Sequence, residues 1–109
     1  AHLNSPSGGM GMNGGVHDAF NLCEKLVRVW HGESPALLDR YGRQRRPIAR
    51  DQIIAQAHQN RTRMQERDPA RRRETLRDLQ ATAADPARAR EYLLRTSMIT
   101  GLRQAAAIE

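Results

Sequence analysis

The chain is short of several things, and each shortage closes off a class of protein. There is one cysteine, Cys23, so no internal disulfide can form, and the thiol fits a reducing cytoplasm. Only four aromatic side chains occur, Phe20, Trp30, Tyr41 and Tyr92, which leaves little for a core and little to stack on nucleobases. No run of about eighteen apolar residues is present, which excludes a membrane-spanning helix, and the opening residues do not read as a signal peptide. The four histidines, His2, His17, His31 and His58, lack metal-ligand spacing, and with no cysteine cluster no metal is expected. Ser5 and Ser7 have no strand-to-helix elbow that would make either a nucleophile. No Gly-x-Gly-x-x-Gly follows a strand, and no segment alternates with period two, so essentially no strand is expected.

Positive charge, by contrast, is plentiful. The net charge is +6, and Lys25 is the only lysine among 18 basic residues. Between Arg40 and Arg73 eleven arginines face three acids, Asp51, Glu66 and Asp68. Such a stretch can serve nucleic acid or an anionic surface. Without interleaved aromatics or a zinc-finger, RRM or KH signature, it reads instead as a solvated helical face.

The chain divides itself into helices. Val16, Phe20, Cys23, Val27 and Trp30 recur at helical spacing after a glycine-rich leader, which predicts an amphipathic helix starting near Gly14. Asp18 falls in its first turn, where an acid suits the dipole, and Cys23 on its apolar face reads as a small buried hydrophobe. Gly32 is placed to close the helix, and Ser34-Pro35 to open the next, which carries Leu37, Leu38 and Tyr41. Pro47 is expected to break or kink it, with a longer polar helix following from Ile48 to Glu66. Asp68-Pro69 and Asp85-Pro86 repeat the cap-plus-proline signal. A single last helix is expected to carry Leu93, Leu94, Met98, Ile99, Leu102 and Ala106, with Gly101 as its weak point. The fold class is all-α. The apolar stripes exceed what so polar a chain can cover, so part of them is expected to meet another surface, and association into a dimer is the simplest closed solution.

The leader carries the chemical signal. Five glycines, at 8, 9, 11, 14 and 15, lie within eight positions, just before a helix. Glycine allows close backbone approach, and a helix start offers free N–H groups and the positive end of the dipole, together a site for an electron-rich or anionic edge. The run Ala1-His2-x-x-x-Pro6-x-Gly8-Gly9-x-Gly11-x-Asn13-x-Gly15-x-x-Asp18-Ala19-x-Asn21-Leu22 resembles the third flavin-binding motif of the FAD-dependent aromatic hydroxylases, monooxygenases similar to p-hydroxybenzoate hydroxylase. The similarity continues more thinly through Lys25-Leu26, Gly32, Leu37-Leu38, Tyr41 and Arg45-Arg46-Pro47. Cys23-Glu24 departs from the family's usual Ala-Trp, without touching the loop.

The resemblance implies an FAD cofactor, NADH or NADPH as reductant, and an aromatic small-molecule substrate. By it Pro6 lies beside the isoalloxazine on the oxygen-reacting side and is the one candidate catalytic residue, a plain turn proline being the other account. Gly9 and Gly11 admit the ring, and the N–H groups of Met12 and Asn13 meet its pyrimidine edge. Met10 and Met12 could be flavin neighbours or loop fillers. In the family a Gly-Asp pair precedes the Ala-His, so the chain reads as the C-terminal piece of a longer, cytoplasmic enzyme with an α/β FAD-binding fold and a β-sheet substrate domain. Residues 1–33 would end the FAD-binding region, and 34–109 would form a C-terminal helical segment. Alone it is expected to be inactive. The other reading is a stand-alone, dimeric, arginine-rich helical module that binds an acidic partner.

Overall fold

The computed structural model describes His2, Pro6 and residues 9–109. Among these residues there is no strand. Helix α1 spans Met10–Trp30, α2 Ala36–Ile48, a π-helical segment Ala49–Ile54, α3 Ala55–Gln65, α4 Pro69–Ala84, α5 Pro86–Thr96 and α6 Ile99–Ala106. The all-α expectation holds, and no described helix is long and apolar enough to cross a membrane.

Local punctuation behaves as its chemistry dictates. At the end of α1 the Gly32 N–H donates to the Val29 carbonyl and the Glu33 N–H to the Arg28 carbonyl, both at 3.0 Å, with Gly32 at φ 98. That is a Schellman closure, and its left-handed position favours a residue without a Cβ. Asp68 and Asp85 cap α4 and α5: the Asp68 carboxylate accepts from the Ala70 N–H at 2.9 Å, and the Asp85 carboxylate from those of Ala87 and Arg88 at 2.9 and 3.2 Å. Ser34 Oγ accepts from the Ala36 N–H at 3.3 Å at the start of α2.

Three boundaries differ from the sequence expectation. Helix α1 starts at Met10 rather than near Gly14, so Gly11, Gly14 and Gly15 lie inside it, and Asp18 lies well beyond its first turn. Pro47 does not end α2. The helix passes through it and widens at once into the π-helical segment, the kind of local adjustment that accommodates an interior proline. The last helix is two, because Met98 adopts φ 66 between α5 and α6.

The core sits where these irregularities meet. Met10, Ile53 and Met98 form one buried cluster, joining the start of α1, the π-helical segment and the α5–α6 junction. Ile48, Ala49, Ala57 and Ala105 are buried as well. Helices α4 and α5 bury nothing, and the molecule measures 59 × 28 × 16 Å.

Helix α1 turns the usual arrangement around. The side it buries holds Met10, Gly14, Asp18 and Lys25, whereas Val16, Phe20, Val27 and Trp30 are exposed, Phe20 at 78% and Trp30 at 88%. Cys23 is exposed as well, which corrects its reading as a buried hydrophobe. The stripe predicted to meet another surface is thus left uncovered within this chain.

Candidate functional site

Helix α1 packs on α2 through a polar seam. Asp18 Oδ1 accepts from Arg45 Nε at 2.7 Å, with the two side chains 4% and 1% exposed. One turn along, Asn21 Nδ2 donates to Gln44 Oε1 at 3.1 Å, and Lys25 Nζ donates to Asn21 Oδ1 at 2.9 Å. Gln44 Nε2 in turn donates to the Ile108 carbonyl at 2.7 Å, tying the chain's last residues to α2. Burial, reinforced by the charges of Arg40 and Arg28, holds the Lys25 ammonium below its ordinary value despite the nearby Glu24.

The seam also reaches the start of the glycine-rich run. Asp18 Oδ2 accepts from the His2 backbone N–H at 3.2 Å and lies 2.9 Å from His2 Nδ1. The His2 ring lies 6.1 Å from that of Tyr41 on α2. Burial alone pushes the Asp18 carboxyl up, but the hydrogen bonds from Arg45 and His2, and the Arg45 charge, bring it below its ordinary value of 3.8. Neighbouring His17 is held below 6.5 by burial and by Arg45. Burial and the Asp18 charge raise the Tyr41 phenol. Arg45 Nη2, His17 Nδ1 and the Tyr41 hydroxyl are buried and have no hydrogen-bond partner among the described residues.

At the other end of the run the chain turns into α1. The Gly9 N–H donates to the Pro6 carbonyl at 3.2 Å, and Gly9 adopts φ 66, ψ 16 at the N-cap. Among the described residues nothing lies within 4 Å of where a Gly9 Cβ would stand. In a helix starting at Met10, the N–H groups of Met10, Gly11 and Met12 have no intrahelical carbonyl to meet. Asn13 is the first whose N–H meets one, that of Gly9. Pro6, Gly9, Met12 and Asn13 are exposed and Gly11 is half-buried. The predicted site residues Pro6, Gly9, Gly11, Met12 and Asn13 therefore all lie at one end of α1, while Met10 turns inward to the core. Residues 1, 3–5, 7 and 8, which include the motif's Gly8, lie outside the described residues.

The pairing of Asp18 with His2 and Arg45 was missed in the sequence. Its signal was there, since all three positions belong to the stretch that resembles the flavoprotein family, but charge counting does not tell Arg45 from ten neighbouring arginines.

The start of α1 thus brings together N–H groups without an intrahelical carbonyl, a Gly9 in the left-handed region and, among the described residues, no atom within 4 Å of the Gly9 Cβ position. Residues 1–57 match the family described as FAD binding domain, and the chain belongs to that family. It resembles FAD-dependent aromatic hydroxylases. A pentachlorophenol 4-monooxygenase of Sphingobium chlorophenolicum is 51% identical over 59 residues, covering 53% of this chain and 11% of that protein. A para-nitrophenol 4-monooxygenase of Pseudomonas sp. (strain WBC-3) is 36% identical over 104 residues, covering 94% of this chain and 26% of that protein. A 2,4-dichlorophenol 6-monooxygenase of Delftia acidovorans is 42% identical over 60 residues, covering 54% of this chain and 10% of that protein. The chain thus spans between 10% and 26% of the length of these relatives. No solved structure matches it.

Proposed function

We propose that this chain is the part of an FAD-dependent aromatic monooxygenase that closes the flavin site, with its remaining helices packed against other parts of the enzyme. The observation that carries this is the start of α1: Gly9 in the left-handed region, no described atom within 4 Å of its Cβ position, and beside it the N–H groups of Gly11 and Met12, which have no intrahelical carbonyl to meet. The residues present fit the group. When bound, the flavin supplies the oxidative chemistry, taking electrons from NADH or NADPH and activating oxygen for transfer to an aromatic ring.

The chain's own residues bind and orient. The N–H groups of Gly11 and Met12, with the positive end of the α1 dipole, stabilise negative charge at the pyrimidine edge of the ring. Asn13, whose N–H is taken by the helix, offers its side-chain amide there. Gly9 lets the backbone come close, and Pro6 stiffens the turn beside the ring. The exposed stripe of Val16, Phe20, Val27 and Trp30 is covered by the rest of the enzyme or by a second copy. The phenolic substrates in the relatives' names support an aromatic substrate for this one, and the cytoplasm suits an enzyme fed by NAD(P)H. The family match supports this reading over a stand-alone arginine-rich module.

The test compares two changes in the complete enzyme. Gly11→Val places a branched side chain at the helix start, whereas Arg72→Val alters an exposed residue of α4. Gly11→Val is expected to weaken FAD binding by at least about tenfold and Arg72→Val to leave it unchanged, with tenfold corresponding to about 1.4 kcal/mol. Equal FAD content and equal NAD(P)H-driven hydroxylation in the two variants would remove the assignment. The isolated chain is expected to bind FAD weakly or not at all, since most of the ligand would stand exposed.

A further inference from the structure

We propose that the cleft between α3 and the α5–α6 pair binds a compact dianionic oxyanion, a phosphate ester or a dicarboxylate, carried by a small polar molecule. The cleft lies on elements other than the start of α1, so the inference stands apart from the flavin reading.

Facing helices usually meet through apolar stripes, and these do not. On α3, Gln56, Gln59, Asn60 and Arg63 recur at helical spacing and share one face. Opposite them Tyr92, Thr96, Thr100 and Gln104 follow at intervals of four, passing from α5 to α6 through the left-handed Met98. Between the two rows lies a cavity of about 320 Å³. Apart from Ala55 and the Tyr92 ring, every side chain lining it is polar or charged. Polar rows ordinarily turn to open water. Here two of them face each other across room for roughly ten water molecules.

The polar groups are largely uncommitted. The side chains of Gln56, Asn60 and Thr100 are half-buried and have no hydrogen-bond partner among the described residues. Gln52 Nε2 donates to Gln104 Oε1, which joins the two walls. Thr96 is the exception, its hydroxyl donating to the Tyr92 carbonyl at 2.9 Å.

The charge is one-sided. Asp51, Arg63 and Arg95 are the charged residues of the lining. Asp51 is already matched, its carboxylate accepting from Arg50 Nε at 2.6 Å and Arg50 Nη2 at 3.0 Å. Arg63 and Arg95 stand on opposite walls and make no ion pair among the described residues. Arg95 is the better held, its guanidinium carbon lying 5.8 Å from the centre of the Tyr92 ring. Two unpaired guanidinium groups across so small a space call for a dianion, and their planar forks suit phosphate and carboxylate oxygens. The amides and hydroxyls then hold the rest of the molecule.

The experiment is calorimetric titration of the complete enzyme with inorganic phosphate and, separately, with malonate, at an ionic strength held constant with sodium chloride. At least one of the two is expected to bind at a single site. Arg63→Gln and Arg95→Gln are each expected to weaken that binding, and together to weaken it at least about tenfold. Both residues are exposed, so the variants are expected to melt as the unchanged enzyme does. Arg72→Gln, on α4 and clear of the cleft, is expected to leave binding as it was. Tighter binding of phosphate assigns a phosphate ester as the natural ligand, and tighter binding of malonate a dicarboxylate. Absence of binding by both probes overturns the proposal. So does binding that the paired change leaves intact, or that Arg72→Gln weakens as much, since the charge of the whole surface would then be responsible.

Discussion

A carboxylate buried in a helix interface has to be compensated or neutralised, and Asp18 is compensated twice, by Arg45 and by His2. Because its folded pKa lies below 3.8, the native state keeps the carboxylate charged where the unfolded chain would protonate it. The stability this contributes is present in full above 3.8 and is lost as pH falls through the folded value. His17 has the same sign for another reason. Its folded pKa lies below 6.5, so the unfolded chain takes up the proton first and stability begins to fall once pH drops below 6.5. Urea midpoints measured from pH 8 to pH 2 should therefore be flat at the top, decline below about 6.5 and decline again below about 3.8. His17→Gln should remove the upper decline and leave the lower. A midpoint that rises on acidification would contradict both assignments. None of this pairing is local in sequence. Asp18 meets Arg45 across 27 residues and His2 across 16, which is why position alone suggested a first-turn acid.

Among the elements, what could be read from the sequence was what local chemistry decides. Asp68-Pro69, Asp85-Pro86 and Gly32 do what those residue pairs do in any helix, because a cap needs partners only two or three residues away. What could not be read was decided by packing. Met98 takes a left-handed conformation that costs a non-glycine residue about 1–2 kcal/mol, and it does so in order to bury its side chain beside Met10 and Ile53. Gly101, expected to be a weak point, is a requirement. Helix α6 lies so close to α2 and the π-helical segment that a Cβ there would stand 2.6 Å from Gln52 Oε1 and 2.9 Å from Ile48 Cγ2. Gly→Ala inside an exposed helix gains about 1 kcal/mol. Here Gly101→Ala should reverse the sign and cost about 1–3 kcal/mol, as overpacking does, measured by chemical denaturation. A stabilised variant would show that α6 is not docked as described. The flavin-loop residues were legible as a group because glycine spacing is a local feature. Where α1 begins was not, because Met10 is drawn into the helix by the same core that bends the chain at Met98.

At the scale of the molecule, the radius of gyration of 17.3 Å exceeds the roughly 13 Å expected of a compact chain this long. The excess lies in α4 and α5, which bury no residue, and in the stripe of α1 that nothing in this chain covers. The C-terminal residues nevertheless return to α2. Gln44 Nε2 and Arg40 Nε both donate to the Ile108 carbonyl, at 2.7 and 3.3 Å, across 64 and 68 residues of chain. Helices α3, α4 and α5 are thus an excursion between two parts of one clasp. Closing a chain into a loop costs entropy that grows only with the logarithm of its length, about 0.6 kcal/mol for each doubling. The excursion can accordingly be lengthened at almost no thermodynamic cost, so long as its two ends still arrive at the clasp. A dozen polar, helix-forming residues inserted between Ala84 and Asp85 should change the unfolding free energy by less than about 0.5 kcal/mol, whereas Gln44→Leu, with no insertion at all, should change it by more, both read from urea denaturation. The three helices that bury least would then be the part in which chain length matters least.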